Sequence, residues 1–325
     1  MKRKRWSLWN YNILLIIAFI ILSLCGCGND AQALKSENEE HVPKKFGATY
    51  MTMNNPYFEA LDDSLEEEIE ANGDVLISRD PAQDQEKQNQ QIQEMIEDGV
   101  VAIFLSPVDW KGVKPALIKC REAGIPVFNV DTYVYDTQYV VSSILSDNYN
   151  AGVQIANDVM GKRKSAKIAI INHENINSTA LRVQGFLDTI KGHSEYEVVV
   201  HEKITAELEV SMEITKRIIE DGLEFNVILG GNDPTALGAL AALQLKRIDK
   251  DILIYGIDGS PDGKTMIKQG FLEGSSAQFP IAIGNTAAEK AYEYLDGGTI
   301  ESNIIIPVKL ITQENLNDYD LAGWQ

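Results

Sequence analysis

The chain has 325 residues, of which 29 are Lys or Arg and 48 are Asp or Glu, for a net charge of −19. That surplus of carboxylates excludes a nucleic-acid partner, because such surfaces draw their affinity from Lys and Arg against phosphate. A content of 44% hydrophobic and 24% charged residues excludes a wholly disordered chain, and the length suggests about two domains. The positive charge is unevenly placed. Lys2, Arg3, Lys4 and Arg5 precede every acidic residue, and from Cys27 onward 25 basic residues face 48 acidic ones.

The basic cluster is followed by the apolar run Ile13 to Leu22 (ILLIIAFIIL) and then by LSLCGC. A basic start, a short apolar stretch and small residues at its end make a secretory signal, and the run is shorter than the roughly 20 residues that span a bilayer. The ending Leu24, Cys25, Gly26, Cys27 resembles a bacterial lipobox, which implies cleavage after residue 26 and lipidation of Cys27. Cys120 is then the one thiol left besides the modified residue, so no intramolecular disulfide is expected. Its helical setting predicts packing as a small hydrophobe. Residues 27–45 are polar and read as a flexible tether, and the folded part is expected to begin near Phe46.

From there short apolar runs alternate with amphipathic segments. FGATYM precedes a helix carrying Leu61, Leu65 and Ile69 on one face. DVLIS precedes one with Ile92, Met95 and Ile96, and VVAIFLS one with Val113, Leu117 and Ile118. IPVFNV and YVVSSIL follow, then a helix around Ala151 to Met160, AKIAIIN, and a helix through Leu181, Phe186 and Ile190. YEVVVHEK, a helix with Val210, Ile214 and Ile218, NVILGG, a helix with Leu237, Leu240 and Leu245, and DILIYGID complete the series. Short strands separated by helical patterns predict an α/β fold of parallel sheets built from right-handed βαβ units.

Ligands of open parallel sheets collect at the carboxyl ends of the strands, which directs attention to the residues just after each run. These are Asn54, Asn55, Tyr57 and Phe58, then Asp109 and Trp110, Asp131 and Thr132, Asn232 and Asp233, Asp258, and Gln278 after a later strand. Neither glycine-rich phosphate motif is among them. Carboxylates and primary amides suit the paired donor and acceptor hydroxyls of a sugar, and flat rings suit its C–H faces. Asp109, Asp233 and Asp262 precede helical segments and are expected to be N-caps, and Asn54 a turn former. Asp131 and Asp258 are expected to contact ligand.

The motifs YMTMNNPYF (Tyr50 to Phe58), PVFNVD (Pro126 to Asp131), SDN (Ser146 to Asn148), GGNDPTALGALAAL (Gly230 to Leu243), YGIDGSPDG (Tyr255 to Gly263) and SSAQFPIAIG (Ser275 to Gly284) together resemble the periplasmic sugar-binding proteins of the ribose-binding type. The resemblance runs from about Phe46 to Thr312. It implies two doubly wound lobes joined by a three-crossover hinge, closing on one monosaccharide and delivering it to an ABC transporter permease. It places one lobe at 46–146 plus 279–307 and the other at 147–278 plus 308–325. By motif, the sugar contacts it implies are Asn55, Tyr57, Phe58, Asp131, Asn232, Asp258 and Gln278. Two departures stand out. The ribose binders carry Arg where this chain has Thr132 and where it has Ala180, while Arg182, two residues on, supplies a guanidinium if the loop shifts. An Arg fork of donors is not reproduced by Thr or Ala, so the resemblance implies a pentose or hexose other than ribose, a cyclitol or another small polyol.

The same lobes occur in transcriptional repressors, but those need a basic DNA-binding segment where this chain has a signal and an acidic tether. Against an enzyme, His41, His173, His193 and His201 show no metal-ligand spacing, and no nucleophile elbow is present. The expectation is therefore an exported, lipid-anchored, monomeric solute-binding protein with no cofactor and no metal. An alternative output is presentation of the closed form to a membrane sensor kinase or chemoreceptor.

Overall fold

A computed structural model describes residues 41–173, 176–205, 207–248 and 251–325. The expected signal sequence and Cys27 lie outside these residues. Among the described residues, no helix is long and apolar enough to cross a membrane.

The chain opens with β1 (Lys45–Thr49), α1 (Pro56–Ala71), β2 (Val75–Arg79), α2 (Gln85–Glu97), β3 (Ala102–Leu105), α3 (Lys114–Ala123), β4 (Val127–Asp131) and β5 (Ser142–Ser146). It continues with α4 (Asn148–Lys162), β6 (Ala166–His173), α5 (Asn177–Ile190), β7 (Tyr196–Ile204), α6 (Leu208–Glu220), β8 (Val227–Gly230), α7 (Asp233–Leu245) and β9 (Leu253–Asp258). Then come α8 (Pro261–Lys268), β10 (Gly274–Ala277), α9 (Pro280–Leu295), β11 (Asn303–Ile306) and β12 (Lys309–Thr312).

These strands form two six-stranded sheets, in the orders β11-β5-β4-β3-β1-β2 and β12-β10-β9-β8-β6-β7. Every pairing is parallel except that of β12 with β10. In each sheet the second strand to form lies on one side of the first and the later strands on the other. That reversal opens a crevice at the strands' carboxyl ends, between β1 and β3 in one sheet and β6 and β8 in the other. The chain passes between the sheets three times: after β5, after β10, and between β11 and β12.

Strand periodicity accounts for helices on both faces. Ala102 and Phe104 of β3 pack into one apolar cluster with Leu61, Leu65 and Ile69 of α1, whereas Ile103 and Leu105 face another with Ile92, Met95 and Leu117. In the second sheet, Ile168 and Ile170 join Ile155 and Phe186, while Ala169 and Ile171 face Ala236 and Ala239. Alternate residues thus serve opposite layers, as a period of two requires. Cys120 is buried in the cluster around Leu117, and burial pushes its thiol up to about 12. It behaves as a hydrophobe, as its sequence setting predicts.

Candidate functional site between two sheet edges

A cavity of about 880 Å³ lies where the carboxyl ends of the two sheets meet. The segment after β1 contributes Asn55, Tyr57 and Phe58, β4 contributes Asp131, α5 contributes Arg182, and the ends of β8, β9 and β10 contribute Asn232, Asp258 and Gln278. Eight of the nine sequence-predicted binding residues therefore line one space.

Local chemistry fixes each of them. Asn55 is the N-cap of α1, accepting the Tyr57 N–H at 3.0 Å with Pro56 in the first turn, and so aims Tyr57 and Phe58 inward. Asn232 caps α7 by accepting the Thr235 N–H at 2.9 Å. The expected N-cap Asp233 is instead the first helical residue. It is wholly buried and accepts from the backbone N–H of Ser260 and the hydroxyls of Ser260 and Ser275. Asp262 likewise lies inside the first turn of α8, whose cap is Ser260. Asp109 receives the N–H groups of Lys111 and Gly112 in a turn before α3, and no side chain caps that helix. In each case a neighbouring Asn or Ser, or a tighter turn, takes the donors first.

Asp131 and Asp258 end their strands with φ of 66° and 147°, conformations that cost a non-glycine residue of order 1–3 kcal/mol and that cluster at functional sites. Asp131 accepts from the Ser106 hydroxyl at 3.1 Å. Asp258 accepts from the Gln278 amide at 2.7 Å and the Asp233 N–H at 3.3 Å. Burial raises the Asp131 carboxyl to about 6 against the pull of Arg182. Burial and the neighbouring Asp233 charge raise Asp258 to about 8. Two buried side-chain atoms on the cavity wall, Tyr57 Oη and Gln278 Oε1, make no hydrogen bond. Leaving such atoms unmet costs about 1–3 kcal/mol each, so they favour a ligand whose hydroxyls donate to Gln278 Oε1 and pair with the Tyr57 hydroxyl.

Arg182 reaches this wall without a shift of its loop, because it sits in the second turn of α5. Its Nε donates to Asn148 Oδ1 at 2.7 Å and its Nη1 to the Gly231 carbonyl at 2.8 Å. Thr132 differs from expectation. It lies outside the cavity lining, and its Oγ1 accepts the Ser178 N–H at 3.0 Å, tying the end of β4 to the start of α5. Gln83 Nε2 makes a second such tie, donating to Glu207 at 2.8 Å.

Among the lining residues that sequence reasoning missed are His173 and Trp324. His173 ends β6 and shares a 3.0 Å hydrogen bond with the Thr235 hydroxyl. Burial and the Arg182 charge lower it to about 3, so it is neutral near pH 7. Its place after an apolar strand was a usable signal. Trp324 arrives from the C-terminal end, with no periodic pattern to announce it. The buried Lys264 ammonium holds the carbonyls of Asp320 and Gly323, and Gln325 Nε2 donates to the carbonyls of Asp258 and Gln278. The indole is thereby set edge-on to Tyr57, with ring centroids 5.9 Å apart.

Residues 46–299 match the model of the periplasmic binding protein domain, which is most of the chain. The chain belongs to the periplasmic binding protein family. Among curated members, the ribose import binding protein of Bacillus subtilis is 27% identical over 305 residues, spanning 93% of this chain and 98% of that protein. The D-apiose import binding protein of Paraburkholderia graminis is 27% identical over 273 residues, spanning 82% and 86%. Of solved family structures, the arabinose-transporter binding protein of Shewanella sp. ANA-3, bound to L-arabinofuranose, superposes with a TM-score of 0.80 at 25% identity, covering 85% of this chain and 94% of that one. A Bacillus halodurans solute-binding protein with myo-inositol gives 0.80 at 24%, covering 85% and 96%, which is a likeness of fold. These relatives are binding proteins by name, and the chain is a binding protein, not an enzyme.

Proposed function

We propose that this protein is an extracytoplasmic solute-binding lipoprotein that captures one monosaccharide or small polyol between its two lobes and delivers it to an ABC transporter permease. The observation that carries the reading is the wall of one cavity, where carboxylates, primary amides and aromatic rings from both sheets converge with unmet polar atoms. The family members named above, an importer component for ribose and one for D-apiose, support transport as the output.

In this mechanism the lobes open and close about the three crossovers. A sugar favours the closed form because only that form offers both Asp131 with Tyr57 from one lobe and Asp258 with Gln278 from the other. Thr132 to Ser178 and Gln83 to Glu207 are the protein's own cross-lobe bonds in that form. The Asp131, Asn55, Asn232, Asp258 and Gln278 side chains take hydroxyls, and Tyr57, Phe58 and Trp324 take C–H faces. A thermal-shift screen of monosaccharides and cyclitols tests this, because ligand that binds only the folded state raises its apparent stability, by about 2.7 kcal/mol at a hundredfold excess over Kd. At least one compound is expected to raise Tm by several degrees, and a flat response across the panel rejects the ligand class. The Cys27 anchor is tested by labelling cells with a tagged fatty acid. Label is expected on the wild-type protein and lost in Cys27→Ser.

A further inference from the structure

The balance of charge inside the cavity bears on the functional group of the ligand, an inference that rests on the sugar or polyol reading above. Asp131 and Asp258 are each 3% exposed, and their partners are neutral: a serine hydroxyl for one, a glutamine amide and a backbone N–H for the other. Arg182, the guanidinium on the same wall, gives its bonds to an asparagine oxygen and a carbonyl. Its charge acts on both carboxylates from a distance without pairing with either. Asp109, Glu207, Glu209, Asp262 and Lys203 line the same cavity. The described lining therefore carries six acidic residues and two basic ones.

The unmet Gln278 oxygen points the same way. Gln278 spends its amide N–H on Asp258, which leaves Oε1 as a buried acceptor with no donor. Asp131, Asp258 and Gln278 thus present acceptors. A ligand hydroxyl brings one donor and no charge, whereas an ammonium brings three donors, no acceptor and a positive charge that lets both carboxyls ionise beside a single guanidinium.

We infer that the ligand is a polyol bearing a protonated amine, an amino sugar or aminocyclitol, whose ammonium is neutralised by Asp131 and Asp258. The raised titration of both carboxyls agrees with this. Around Asp258 stand Asp233, Arg182, Tyr57 and Gln278, and around Asp131 stand Arg182, Tyr57 and Ser106. Arriving positive charge lowers both carboxyls, so binding an ammonium expels a proton from the site, which an uncharged twin does not do.

The test is calorimetric titration of the purified protein with matched pairs: D-glucosamine against D-glucose, D-galactosamine against D-galactose, and an inosamine against myo-inositol. In the pair whose stereochemistry fits, the amine is expected to bind at least tenfold tighter than its hydroxyl twin. Asp131→Asn and Asp258→Asn are expected to weaken the amine by a larger factor than its twin, closing the gap between them, and an unchanged amine-to-twin ratio would overturn the assignment. Should those variants fold poorly, repeating the wild-type titration in buffers of different ionisation heat is expected to show proton release with the amine alone. Hydroxyl twins binding as well as or better than the amines would overturn the ammonium and leave the sugar site standing. No binding by any member of any pair would overturn the site reading and this inference together.

Discussion

Asp258 concentrates the physical tension of the site in one side chain. It is buried, sits at a positive φ, touches only neutral donors, and lies beside Asp233. In the folded protein its carboxyl keeps a proton up to about pH 8, whereas in the unfolded chain an aspartate gives it up near 4. The folded state therefore holds the extra proton across that interval, and its stability falls as pH rises through it. Asp131, raised to about 6, acts in the same direction over the lower part of the range. His173 acts oppositely: lowered to about 3 when folded, it costs stability as pH falls below about 6.5. Denaturant unfolding of the unliganded protein and of Asp258→Asn between pH 5 and 9 isolates the first effect. The variant is expected to gain on the wild type as pH rises to about 8 and to level off above it, and a constant difference would count against a protonated Asp258.

Glycines set how closely the elements around the site approach. A Cβ on Gly152 of α4 would lie 1.8 Å from the Arg182 carbonyl, and one on Gly185 of α5 would lie 2.0 Å from that of Tyr149. The two helices cross backbone to backbone, and this crossing positions Asn148 at one end of α4 to receive Arg182. Gly152→Ala is expected to destabilise the protein by about 1–3 kcal/mol through overpacking, with a weaker grip on ligand, both measurable by chemical denaturation and titration. The strand pattern and strand-end logic made the sheets and Asn55, Tyr57, Phe58, Asp131, Asn232, Asp258 and Gln278 legible in the sequence, because each depends on its own strand. What stayed hidden depends on remote apposition. Thr132 works through Ser178, 46 positions away, and Trp324 through Lys264, on a helix 56 or more positions upstream. Asp233 was mistaken for a cap because its true partners, Ser260 and Ser275, come from later elements.

For the whole molecule, the duplicated strand order is the fact that matters most. Each sheet alone offers half a site at its switch point, and three chain passages allow the halves to meet without a rigid shared core. The excess of 48 Asp and Glu over 29 Lys and Arg along the chain disfavours contact with phosphate-rich partners. The account stands on one small polyol bridging both halves, and calorimetric titration of the panel against wild type and Asp258→Ala tests that most directly. One-to-one binding by at least one compound is expected, weakened roughly 2- to 150-fold in the variant, the loss of hydrogen bonds worth about 0.5–1.5 kcal/mol while Asp258 keeps its proton and about 1.5–3 kcal/mol once it ionises. Absence of binding by the wild type, or equal affinity in the two proteins, would contradict it.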